Sequence, residues 1–149
     1  MPKRVSAGRP GTAADDRPSV PTLIDEMRED RAALVERLRE AALSLGGVEE
    51  RVLFDAFCRE WTPAYYLGKT QLFHIHNFGS ELRATVFVGV NTLQPLIMHA
   101  QEISPGLRQT VSTTSGGHAT KQVRFPICGE ADVDEFMELV RVKLDYAAS

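Results

Sequence analysis

The stretch TPAYYLGKTQLFHIHNFGSELRATVFVG, from Thr62 to Gly89, carries two consecutive hairpin signals and decides the fold class. Ala64-Tyr65-Tyr66-Leu67 is rich in strand formers and runs into Gly68-Lys69-Thr70, where glycine supplies the positive φ of a tight turn. From Gln71 to Asn77 the pattern alternates, with Phe73 and Ile75 on one side and Leu72, His74 and His76 on the other. Asn77-Phe78-Gly79-Ser80 forms the next turn. Beyond it Leu82, Ala84, Val86 and Val88 alternate with Arg83, Thr85, Phe87 and Gly89, which predicts a third half-buried strand.

On the C-terminal side, Asn91 and Pro95 open a helix through Leu96, Ile97 and His99, and Ser104-Pro105 opens another. The loop Thr113-Thr114-Ser115-Gly116-Gly117 follows. Val123, Phe125 and Ile127 then alternate with Gln122, Arg124 and Pro126, a fourth strand placed at a sheet edge because Pro126 cannot donate to a ladder. Val133, Phe136, Met137, Val140 and Leu144 share one face of a final helix behind an acidic first turn.

On the N-terminal side, Thr62-Pro63 marks a break, since the residue before proline is pushed out of the helical region. Before it, Glu49 and Glu50 followed by Val52, Leu53, Ala56 and Phe57 predict a helix from about Val48 to Arg59. A longer helix spans 22–45, with Ile24, Met27, Leu34, Leu38, Ala41 and Leu45 as a seam that Arg31 interrupts and Gly46-Gly47 ends. That seam suits packing on the chain's own sheet or, as a short coiled coil, a homodimer. Residues 1–20 hold three prolines, two glycines and hardly a large apolar side chain, so a disordered tail is expected there. The elements sum to an α+β fold, an antiparallel four-stranded sheet with helices packed on one face, in a single domain over 21–146.

The composition is that of an ordinary globular domain: 149 residues, 43% hydrophobic and 25% charged. No apolar run approaches the roughly 18 residues of a membrane span, and no hydrophobic stretch follows Lys3-Arg4, so neither a membrane protein nor a secretory leader is expected. Two cysteines, Cys58 and Cys128, make no disulfide framework. A cytoplasmic location with reduced thiols is the expectation. The net charge of −3 is uneven: 21–61 and the last twenty residues each carry −4, whereas 62–129 carries +3.

The order of elements resembles a known family. An acidic helix leads into WTPAYYLGK (61–69), two strands follow, then ISPGLR (103–108), KQVRFPI (121–127) and DVDEFMELVRVK (132–143). Over roughly 48–146 this is similar to the MmcQ/YjbR-like double-wing group and its bacterial branches of unknown function. The resemblance implies a compact α+β domain, labelled DNA-binding by analogy, with no catalytic residue to carry over.

Several chemistries are excluded by spacing. A phosphate loop ending in Gly68-Lys69-Thr70 needs a glycine where Pro63 stands, and it would lead into a helix rather than a strand. Gly116-Gly117 with Lys121 lacks a helix N-terminus behind it. His74 and His76 sit at i and i+2 on one strand face, a separation one metal can span, but no carboxylate or thiol lies beside them in sequence to complete a site. Acid–base catalysis has the same gap, with Glu81 and Glu102 the only acids of the sheet region. Ser112, Ser115 and His118 lack the elbow of an activated nucleophile. No cofactor and no metal ligand set is expected. The sequence therefore favours a non-enzymatic binding module. His74, His76, Arg83 and Arg124 would supply hydrogen bonds and positive charge on an outward sheet face, and Tyr65, Tyr66 and Phe87 a stacking surface, for a small anionic or aromatic ligand or a macromolecular partner. The alternatives are a nucleic-acid-binding domain and a small metal-dependent enzyme using His74 and His76.

Overall fold

A computed structural model describes residues 16–149 of the chain. The elements are α1 (Val20–Asp25), α2 (Glu29–Leu43), β1 (Val48–Asp55), β2 (Glu60–Leu67), β3 (Thr70–Asn77), β4 (Leu82–Gly89), α3 (Leu93–His99), α4 (Pro105–Thr113), β5 (Thr120–Pro126) and α5 (Glu130–Ala148). The five strands lie in chain order, each antiparallel to the last. The α+β expectation holds, with five strands in place of four.

The fifth strand is the one misread. Residues 48–59, expected as a helix, form β1 and the turn into β2. Alternation is masked there because Glu50 occupies an inward position where an apolar residue would be expected. Burial of that carboxylate is offset by three donors: Arg39 from α2 (2.8 and 3.2 Å) and the Tyr65 hydroxyl from β2 (2.8 Å). The turn is equally silent in sequence. It contains no glycine, and Arg59 takes the left-handed conformation instead, with φ +58°. Asp55 holds it, its Oδ1 accepting from the backbone N–H of Phe57 (2.9 Å) and of Cys58 (3.0 Å).

In the stretch that decided the fold class, Gly68 has the expected positive φ, +60°. The ladder between β2 and β3 begins at Ala64, directly after Pro63, so the missing proline donor falls outside it. A register shift between Tyr65 and Tyr66 accompanies a change from the simple alternation expected of β3: Leu72 is fully buried in the core together with Phe73 and Ile75. β5 is an edge strand, as Pro126 implied.

The helices contact one face of the sheet, where Tyr65, Phe73, Ile75, Ala84, Val86, Val123 and Phe125 join Val35, Leu38, Ile97, Val111 and Phe136 in one core. At its centre Phe73 stacks on Tyr65 at 4.8 Å and meets Phe136 edge-on at 5.2 Å. The expected helix 22–45 is two helices, α1 capped by Ser19 Oγ accepting from Thr22 N (3.2 Å), and α2 restarting at Glu29-Asp30, whose charges suit a helix N-terminus. Of the expected seam, Ile24 and Leu38 are buried in the core and Met27, Leu34, Ala41 and Leu45 pack partly buried against it, while Val35 and Ala42, one position along from Leu34 and Ala41, are the fully buried neighbours. Arg31, which interrupts the seam, grips the β3–β4 turn by donating to Asn77 Oδ1 (2.8 Å) and to the carbonyls of Phe78 and Gly79. Of the segment expected to be a tail, residues 1–15 lie outside the described residues. Ser19 caps α1 and Val20 is buried, so the domain begins before residue 21.

Candidate functional site

The second face of the sheet is built by the positions that alternate with the core. One row crosses all five strands: Arg51, Ala64, His74, Thr85 and Arg124 are successive cross-strand partners. Ala64 and Thr85 on either side of His74 are short, whereas Leu53, Gln71, Phe87 and Gln122 nearby are long. The difference in length leaves a cleft of about 190 Å³ over His74, lined by these four, Thr62 and the β1 residues Phe54 and Asp55. No helix residue lines it.

His74 forms the floor, only 6% exposed. Gln71 Nε2 donates to the Tyr66 hydroxyl (3.1 Å), which leaves Gln71 Oε1 to accept from His74 Nδ1 (2.6 Å). The hydrogen therefore sits on Nδ1, and Nε2 keeps its lone pair with no partner among the described residues. Burial first, and the adjacent His76 second, lower the His74 pKa to about 4, so the ring is neutral. Phe87, 38% exposed, stands 5.8 Å from the His74 ring and forms one wall. Arg124 is exposed and donates to Gln122 Oε1 (2.6 Å) at the rim.

His76 belongs to a neighbouring cluster. Its Nε2 lies 2.8 Å from Asp55 Oδ2, its ring stacks on Phe78 at 5.1 Å, and it meets His74 edge-on at 4.8 Å. Arg83, its cross-strand partner, lies over Phe78 at 4.7 Å and is paired with Glu81 at 2.6 Å. Cys58 in the β1–β2 turn and Glu60 opposite Asp55 complete the group. Asp55 is held below the usual carboxylate range, chiefly by the Cys58 backbone donor. Burial raises both the Glu60 carboxyl and the Cys58 thiol, and Asp55 raises them further.

Of the seven residues singled out in sequence, His74 and Phe87 form the cleft and Arg124 its rim, while His76 and Arg83 lie one cluster away. Tyr66 is on the same face but committed, its hydroxyl to Gln71 and its ring under the Arg51 guanidinium at 4.2 Å. Tyr65 does not join them. It points to the helix side, fully buried against Phe73, with its hydroxyl bound to Glu50. The positive face expected in sequence is corrected as well: His74 stays neutral through pH 6.5, Glu81 neutralises Arg83, and the paired ends of β1 and β2 bring Asp55 and Glu60 onto the same side. The carboxylate and thiol missing beside the histidines are supplied by Asp55 and Cys58, both hidden by the helical reading of 48–59. Gln71, which sets the His74 tautomer, stood in plain view in the same strand without a pattern to mark it. No family model, curated protein or solved structure matches this chain, so the site is argued from its own geometry.

Proposed function

We propose that this chain is a binding module that receives one ring of a small aromatic anion in the cleft above His74. The observation that carries this reading is the unpartnered His74 Nε2 on the floor of a cleft walled by Phe87. A lone pair held by a neutral ring accepts a hydrogen bond from a ligand N–H or O–H without requiring a charge there. Size narrows the class. A cavity of roughly 150 Å³ holds a benzene ring, whereas drug-sized ligands need about 300 Å³ or more, so the cleft suits a single ring. Phe87 would lie against the ring, and Arg124 at the rim would take a carboxylate or phosphate attached to it.

A nucleic-acid reading draws less support. Affinity for a polyanion comes from several cations neutralising successive phosphates. On this face Arg51 is paired with Glu49 and Arg83 with Glu81, which leaves Arg124, bonded only to a neutral amide, among the described residues. General-base catalysis by His74 is also disfavoured, because a group titrating near 4 is a weak base at neutral pH.

The test is calorimetric titration of the purified chain with ring-bearing carboxylates and phosphates, acetate and inorganic phosphate, and short single strands of nucleic acid. Ring-bearing anions should bind and acetate should not. Phe87→Ala should weaken the bound compound about tenfold, and Arg124→Ala should weaken an anionic compound more than its neutral analogue. Binding that ignores Phe87→Ala would place the site elsewhere. Preference for nucleic acid with a steep salt dependence would replace this reading with the polyanion one.

A further inference from the structure

From the corner beside the cleft, where Asp55 Oδ2, Cys58 Sγ and His76 Nε2 converge, we infer a binding site for one divalent transition-metal ion of zinc type. One ligand atom from each of the three residues lies within 4.8 Å of the other two. Tetrahedral zinc, with bonds of about 2.0–2.3 Å, sets its ligand atoms roughly 3.3–3.6 Å apart. Asp55 and His76 must therefore separate slightly from their 2.8 Å contact, and the thiol must rotate inward, movements on the order of 1 Å within side chains.

The donor set selects the metal. Nitrogen, sulfur and oxygen together match a borderline ion such as Zn²⁺, whereas Mg²⁺ and Ca²⁺ take oxygen alone. Charge matches too, since a divalent cation with one thiolate and one carboxylate is neutral and suits a half-buried corner. The surroundings hold two of the ligands in place. Asp55 Oδ1 is occupied by the backbone N–H groups of Phe57 and Cys58, so Oδ2 is the oxygen turned toward His76. The His76 ring is flanked by Phe78, stacked within 8° of parallel. The Asp55 turn is also what carries Cys58 back: Arg59, in the left-handed conformation, closes it by donating its N–H to the Asp55 carbonyl at 2.6 Å. Three protein ligands leave a fourth position, as in zinc sites that exchange water or bind a ligand. His74 is not one of the residues whose ligand atoms converge at this corner.

The inference does not depend on the cleft binding a ring, because the metal alone is the probe. The full-length chain, stripped with chelator and kept reduced, is titrated with Co²⁺ and then with Zn²⁺ against a chromophoric competitor. One equivalent of Co²⁺ should give a thiolate-to-metal charge-transfer band and the strong visible absorption of tetrahedral cobalt, and Zn²⁺ should displace it. Cys58→Ser should abolish the charge-transfer band and weaken Zn²⁺ by roughly a hundredfold, and His76→Gln should weaken it similarly. Cys128→Ser should leave both unchanged. Cys58 is half exposed on a turn, and circular dichroism of Cys58→Ser checks that its fold is retained, so that this variant decides even if His76→Gln does not fold. Absence of stoichiometric Co²⁺ binding by the wild type overturns the site. So does a charge-transfer band that survives Cys58→Ser, or one lost in Cys128→Ser.

Discussion

Asp55 and His76 are 21 positions apart in the chain, yet their Oδ2 and Nε2 atoms meet at 2.8 Å, tying β1 to β3 across the intervening β2 on the helix-free face. Asp55 does two jobs at once. One oxygen fixes the turn and the other fixes the imidazole, so the loop that carries Cys58 and the strand that carries both histidines are positioned by one carboxylate.

Removing that carboxylate should separate the two roles. Asp55→Ala leaves two backbone donors and a nearly buried ring nitrogen without partners, which should cost about 1–3 kcal/mol in urea unfolding. Asp55→Asn keeps an acceptor for the turn and a donor for the other His76 tautomer, and should cost less than half as much. Equal losses would mean that the negative charge, not the hydrogen bonds, matters at this position.

The core makes a simpler demand. Phe136 is fully buried between Phe73 and Phe125, with ring centroids 5.2 and 5.5 Å away. Phe136→Ala should lower the unfolding free energy by about 3–5 kcal/mol, the transfer of the ring plus the cavity it leaves. A change within about 1 kcal/mol of wild type would show that the aromatic cluster is not the centre of the core.

The inward carboxylate of β1 gives a third outcome. Tyr65→Phe removes one of three donors to Glu50 and should cost about 1 kcal/mol, since Arg39 still pairs with the acid. Arg39→Ala removes the cation that pairs with Glu50 among the described residues and should cost more. If Arg39→Ala proved the milder change, Glu50 would be held mainly by the phenol.

These residues also explain what could be read without coordinates. Phe73, Ile75, Ala84, Val86, Phe125 and Phe136 follow strict periods of two or near 3.6, and each is in the core where its period placed it. His74, His76, Arg83, Phe87 and Arg124 follow by exclusion and do share the opposite face. Periodicity fails where a polar residue replaces an apolar one in an inward slot, as Glu50 does, and where a non-glycine residue, Arg59, takes a left-handed turn. Losing β1 meant losing Asp55 and Cys58. Their pairing with the histidines is a cross-strand relationship, and no spacing along the chain encodes it. Tyr65 was misassigned for a related reason: the shift in register at Tyr65/Tyr66 settles which of two adjacent tyrosines faces inward.

The buried ammonium of Lys143 makes the last prediction, one of pH. Lys143 reaches from α5 to donate to the Phe87 carbonyl on β4 at 2.7 Å, and burial lowers its pKa from 10.5 to about 8. The folded state therefore releases the proton before the unfolded state does. Below about pH 8 both states hold it and the folded state bears the full cost of a charge out of water. Between about 8 and 10.5 the unfolded chain is protonated and the folded one is not, so the cost falls away and stability rises with pH. The rise is on the order of 3 kcal/mol for a shift of this size. Other groups titrate over the same range, among them Tyr65, whose phenol burial raises. Subtracting a variant isolates the lysine: the stability of wild type minus that of Lys143→Met, from urea unfolding at about pH 7, 9 and 10.5, should become more positive at each step. A difference that stays flat across this range would mean that the ammonium is solvated in the folded chain and that α5 does not bury it against β4.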